Sequence, residues 1–250
     1  RADDLMEIWK AGDDVNDGLD ALDFGPLFRM GHLLGRWLTR QMVPFPENLS
    51  AAEKATYRPH LFQAKGEEQA DNLIDIQAMR MYEGYGARLL FQRVIELAEP
   101  RIQSAMAAAL RIRDAAPNDA ARAKWTLQNQ RLEAVLLLLR SADNMVKYQA
   151  QLDRVKSLGA KPEPNPPLGA INSWDRADLL QTARDEIDVA LRLTQLIEGT
   201  KETIIATAAT SGEEYAMLLG PELPAQLKAK VATMNRHWRD YDRLFTVPNP

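Results

Sequence analysis

The chain has 250 residues, 46% of them hydrophobic and 26% charged, which supplies apolar material for one large or two small cores and argues against wholesale disorder. A net charge of -4 and a sequence pI near 5.5 give no global attraction to nucleic acid or to an anionic membrane surface. With no cysteine, disulfides, thiolate catalysis and cysteine-ligated zinc or iron-sulfur centres are excluded, and no apolar run approaches the roughly 18 to 20 residues of a spanning helix.

Residues 1–24 hold eight acids against Arg1 and Lys10, whereas residues 101–160 hold ten bases against five acids. The acidic start is therefore expected to dock on the basic long helix, with an exposed acidic arm for a basic partner as the other reading. Leu27, Met30, Leu34, Trp37 and Leu38 form one helical face, opened by Pro26 and closed before Val43-Pro44-Phe45-Pro46, where two prolines enforce an extended break. Ser50 followed by Glu53 predicts a capping box, since hydroxyl and carboxylate can each satisfy a free backbone donor of a new helix.

From that cap the pattern runs to about Lys65, with Pro59 as a kink, and Ala70, Leu73, Ile74, Met81 and Tyr82 carry a face up to Gly84-Tyr85-Gly86, a kink or turn. Leu89, Leu90, Val94 and Ile95 continue toward Ile102, Met106 and Leu110, with a bend expected at Pro100 and an end at Ala116-Pro117. Asn118 or Asp119 then caps a helix over 118–157, in which Trp125, Leu132, Leu139 and Val146 recur every seven positions with Val135, Leu136 and Ala142 between them. An apolar stripe of that period needs a partner helix to cover it, as in a coiled coil.

Pro162, Pro164, Pro166 and Pro167 mark a semi-rigid linker at 159–174. A cap at Ser173 or Asp175 opens a stripe of Leu180, Ala183, Ile187, Ala190, Leu191 and Ile197. A final helix over 222–245 uses Leu223, Leu227, Val231, Met234, Trp238, Tyr241 and Phe245, and Thr200–Thr210 between the two is only weakly periodic.

No Glu-x-x-His pair or His-Glu-x-x-His run occurs, so a di-iron carboxylate or zincin centre has no ligand set. Glu67, Glu68, Asp71 and Asp75 could hold a hard cation through oxygen, although a solvated face gives the same pattern. There is no phosphate-binding glycine loop and no Gly-x-Ser-x-Gly elbow. No catalytic, cofactor-binding or metal-ligating residue is assigned, and no cofactor is expected. Trp37, Trp125 and Trp238 lie on apolar faces. Trp9, in the acidic segment, and Trp174, beside the prolines, are the candidate partner-contact residues.

Pro46, Leu49, Ser50, Glu53, Tyr57, Leu61, Ala64 and Ala70 stand at spacings that resemble the helix pair closing bacterial tetratricopeptide-repeat proteins. The resemblance covers residues 46–70. It implies a helical-hairpin scaffold that binds protein segments and has no catalytic residues to carry over.

The expected architecture is all-α, a multi-helix bundle or solenoid-like stack around a long heptad-patterned central helix. Residues 1–158 form a helical domain, 159–174 a proline-rich linker, and 175–250 a helical hairpin packed on or beside the first domain. The expected role is a non-catalytic protein-protein interaction or scaffolding module. A helical sensory domain for a small molecule is the alternative. A protein partner is expected, without nucleic acid and without membrane insertion, and the amphipathic faces are compatible with a homo-oligomer. Arg1 in place of an initial methionine fits a processed or excised sequence and fixes no compartment.

Overall fold

Local stop and start signals set the helix ends in a computed structural model, which describes residues 2–21, 38–57, 85–159, 173–211 and 219–245. Helix α1 spans Ala2–Ala21, a short 3-10 turn covers Pro46–Asn48, and α2 spans Ala51–Tyr57. Helix α3 is Tyr85–Asp114, α4 is Asp119–Gly159 with 41 residues, and α5 is Ser173–Glu198. Helices α6, Leu223–Arg236, and α7, Asp240–Arg243, complete the set. Among the described residues no strand occurs, so the fold is an all-α multi-helix bundle with a long central helix.

Two of the predicted caps are seen to form. The Ser50 backbone N–H donates to Glu53 Oε2 at 2.8 Å, and the Glu53 N–H donates to Ser50 Oγ at 3.3 Å, which is the reciprocal capping box. Asn118 Oδ1 accepts the Ala121 N–H at 2.9 Å and opens α4 directly after Pro117 has ended the preceding segment. Helix α3 continues through Pro100 and ends at Asp114, just before Ala116-Pro117. Pro100 and Glu96 are both exposed, so the carbonyl that loses its intrahelical donor faces water.

Successive long helices pack on one another, α1 on α3, α3 on α4, α4 on α5 and α5 on α6. The cross-contacts run in opposite chain directions. Arg111 meets Asp4 while Arg101 meets Asp14, and Glu133 meets Arg192 while Gln151 meets Thr182, so both pairs are antiparallel. The acidic first helix therefore docks on the basic end of α3 and not on the long helix α4. The bases it needs at its own spacing, Arg101 and Arg111, belong to the earlier element.

One core cluster joins Met42, Val94 and Met145 to Leu179, Met234 and Tyr241, and so draws on chain from both sides of residues 160–172. Helix α4 is central to it. Residues 141–146 are all buried, including Ser141, Asp143 and Asn144, whereas Val135, placed on the heptad stripe from sequence, is 46% exposed. A seven-residue stripe describes a helix covered on one side. The second half of α4 has α3 and α5 against it, so burial there follows position along the helix more than the heptad.

The chain between Thr39 and the 3-10 turn is a buried strap. Residues 38–44 are all buried although 40–45 are not helical. Pro44 and Pro46 disfavour helix here, so buried carbonyls need partners from elsewhere. Lys230 Nζ donates to the Leu38 carbonyl at 2.8 Å and Tyr241 Oη to the Met42 carbonyl at 2.9 Å. The last helix does not run unbroken over 222–245. A turn at residues 237–239 separates α6 from α7, and there the Tyr241 ring is fully buried with its hydroxyl on the strap.

The expected face over 27–37, the pair over 46–70 beyond Tyr57, the acids Glu67, Glu68, Asp71 and Asp75, and the linker prolines lie outside the described residues. No helix among the described residues is long and apolar enough to cross a membrane.

Candidate functional site

The least expected chemistry sits between α4, α5 and α6. Glu186 and Lys230 form an ion pair in which both side chains are 0% exposed. Ser141 Oγ donates to Glu186 Oε1 at 2.6 Å and Asn144 Nδ2 donates to Oε2 at 3.0 Å, while the Lys230 ammonium also reaches the strap. Burial pushes the Lys230 ammonium below its ordinary value, and Glu186 opposes that shift through charge and a hydrogen bond. Serine, lysine and glutamate in contact are reactive types, yet this cluster has no solvent-exposed member. Its arrangement satisfies donors and acceptors and joins four segments of chain.

A sequence signal for this pair exists. Glu186 lies three residues after Ala183 and four before Ala190, and Lys230 lies three after Leu227 and four before Met234, all of them buried. Each charge thus occupies an apolar stripe at helical spacing. Ile187 and Val231, taken for the stripes in their place, are one step around the helix and only half-buried.

Beside the ion pair, α3, α4 and α5 line an open cleft of about 650 Å³. Ile95, Met106, Leu136, Leu137 and Val189 give it an apolar floor. Three ion pairs edge it: Arg140 with Glu99, Lys147 with Asp143 at 2.5 Å, and Arg192 with Glu133 at 2.6 Å. Asp143 is 4% exposed, and its Oδ1 has no hydrogen-bond partner. Burial raises its carboxyl above the usual carboxylate range, against the opposing pull of Lys147 and Arg88. Nothing in the local sequence of α4 marks Asp143, because a carboxylate within a long helix reads as surface until both flanking helices are placed.

The third feature is the outer face of α1. Asp4, Glu7 and Asp14 turn toward α3, where Arg111 holds Asp4 at 2.7 Å and Glu7 at 2.6 Å and Arg101 holds Asp14 at 3.0 Å. Positions offset by half a turn point the other way. Trp9 is 72% exposed and Met6 64%, with Leu5 beside them and the exposed acids Asp3, Asp13 and Asp17 around them. Of the two tryptophans singled out from sequence, Trp9 is thus a surface side chain. The side chain of Trp174, in the first turn of α5, lies outside the described residues.

Trp238 is half-buried, 5.2 Å from the Tyr241 ring, with the Arg184 guanidinium 5.5 Å over its face. Its basic neighbour Arg236 pairs with Glu53. Among the described residues no group of three or more His, Cys, Asp or Glu is placed to hold a metal ion. No protein-family model matches this chain, and no curated protein and no solved structure matches it at a significant level.

Proposed function

We propose that this protein is a non-catalytic interaction module, and that the outer face of α1 takes a basic amphipathic segment of a partner protein. The observation that carries the reading is Trp9, 72% exposed on a helix whose opposite face is fully engaged. Tryptophan contributes more contact area than any other side chain and is enriched at binding hot spots, so a solvated one next to Met6 and Leu5 suits a partner's apolar side chains. Asp3, Asp13 and Asp17 around that patch favour lysine and arginine at the partner's rim and repel an anionic lipid surface. The resemblance of residues 46–70 to the closing helices of tetratricopeptide-repeat proteins supports the same class of role. The mechanism is binding without turnover.

The test is site-directed photo-cross-linking from position 13 in cell extract, comparing the wild-type chain with the Met6→Ser/Trp9→Ala variant. The expected result is a cross-linked peptide rich in Lys or Arg on one helical face, lost in the variant and at high salt. The same peptide, made synthetically, should bind the purified wild-type chain. Cross-links unchanged by the variant, or found only to a second copy of this chain, overturn the reading.

A further inference from the structure

The turn between α6 and α7 carries a titratable group that neither the α1 surface nor the central ion pair uses. His237 closes α6 as its C-cap, and its side chain is only 12% exposed. Nδ1 lies 2.9 Å from Asp240 Oδ2 of α7. Nε2 is buried, makes no hydrogen bond, and faces Glu53 Oε1 of α2 at 3.3 Å. Each ring nitrogen is thus turned to a carboxylate on a different element. Arg236 of α6 shares Glu53, Arg243 of α7 shares Asp240, and Arg184 of α5 lies over the adjacent Trp238.

A carboxylate only accepts, so the contact with Asp240 requires a hydrogen on Nδ1 and fixes the neutral ring in its Nδ1–H form. That form turns a lone pair on Nε2 toward Glu53. The Glu53 carboxyl is held at about 2, so it stays charged throughout the range of about pH 5 to 8 in which histidines titrate. Lone pair and carboxylate repel each other away from solvent. A second proton, on Nε2, reverses the sign of the contact and gives a charge-assisted one, and the C-terminal end of α6 favours the positive ring.

We propose that His237 is a proton-operated clasp between α2 and α7, closed when Nε2 carries a proton and loosened when it does not. Glu53 is also the acid of the Ser50 capping box, so the clasp acts on the segment that leads out of the buried strap. Arg236 keeps its charge over this range and still holds Glu53, which makes the response a loosening of α2 and not its release. A contact that needs the proton contributes stability where the ring is charged and loses it as pH rises.

The experiment follows the ring nitrogens of the intact, nitrogen-15-labelled chain by NMR and hydrogen exchange over residues 46–57 by mass spectrometry, from about pH 5.5 to about pH 8. At the acid end both nitrogens of His237 should carry hydrogen, and at the alkaline end Nε2 alone should have lost it. Across the same range, protection of residues 46–57, corrected for the intrinsic pH dependence of exchange, should fall about tenfold, the loss of one charge-assisted contact. Protection of residues 134–146 in α4 should stay constant. His237→Gln should make protection of residues 46–57 independent of pH. Should that variant not fold, the ring spectrum of the wild-type chain needs no variant. Glu53→Gln, which removes the charge facing Nε2, should flatten the pH dependence while Nδ1 stays bonded to Asp240. A neutral ring protonated at Nε2, protection that does not change with pH, or the same change in either variant would overturn the proposal.

Discussion

Two ionic contacts in this molecule each join a basic side chain to carboxylate, in opposite surroundings. On the surface, Arg111 of α3 spans Asp4 and Glu7 of α1. At the centre, Lys230 of α6 meets Glu186 of α5 with neither side chain exposed. Water competes for the first contact and salt screens it, so it orients α1 more than it stabilises it. The second is sealed, and its value lies in what happens when one member is removed. The stranded charge then has no water to solvate it and only Ser141, Asn144 or the Leu38 carbonyl for company. The number of ion pairs therefore says little about where this bundle is strong; their burial says more.

The comparison is sharpest at Lys230. Lys230→Met should lower the unfolding free energy in urea by about 3–5 kcal/mol, because Glu186 is left charged and buried. Converting both residues, as Lys230→Met/Glu186→Leu, should recover most of that loss. If the single variant costs no more than a surface pair does, the central pair is not what joins α5 to α6.

A smaller effect is expected at Glu53, which stands between the two extremes. Burial pushes its carboxyl up, but the Ser50 backbone N–H and hydroxyl, with His237 and Arg236, outweigh burial and hold it at about 2, against 4.5 for an unperturbed glutamate. A depressed folded value means that the unfolded chain binds more protons between those limits. The stabilisation is complete above pH 4.5 and is lost as pH falls toward about 2. Glu53→Gln should cost about 1 kcal/mol at neutral pH, the ordinary scale of a helix cap. Thermal melts should show wild type and variant converging as the solution is acidified through that window. A gap that stays constant with pH would mean that the carboxylate charge plays no part.

The smallest effect belongs to Arg111. Arg111→Ala should shift the thermal midpoint little at low salt and not measurably in molar sodium chloride, where screening has already removed the contact. A salt-independent loss would show that α1 is held by the packing of the arginine stem instead of its charge.

Features decided within a few residues were legible in the sequence. The Ser50-Glu53 box, the Asn118 cap and the stop at Pro117 depend on neighbours in the chain, and each formed where spacing placed it. The long helix and the all-α class followed from periodicity. What depended on three helices at once was not legible. Val135 and Leu136 are equally apolar, and only the positions of α3 and α5 decide that one is exposed and the other buried. Asp143 reads as surface for the same reason, whereas Lys230 stands in the stripe of Leu227 and Met234 and so carries a sequence signal. Trp9 could be singled out because a large aromatic among acids is already unusual before any partner helix is placed.

The strap over residues 38–44 ties the bundle together in time as well as in space. Its carbonyls are met by Lys230 and Tyr241, side chains 192 and 199 positions further along. During synthesis the strap emerges long before the groups that cap its backbone, and it must stay uncommitted until α6 and α7 leave the ribosome. Nascent chains arrested before residue 230 should therefore be open to protease at the strap, and the C-terminal helices act as the closing clasp of a fold begun much earlier.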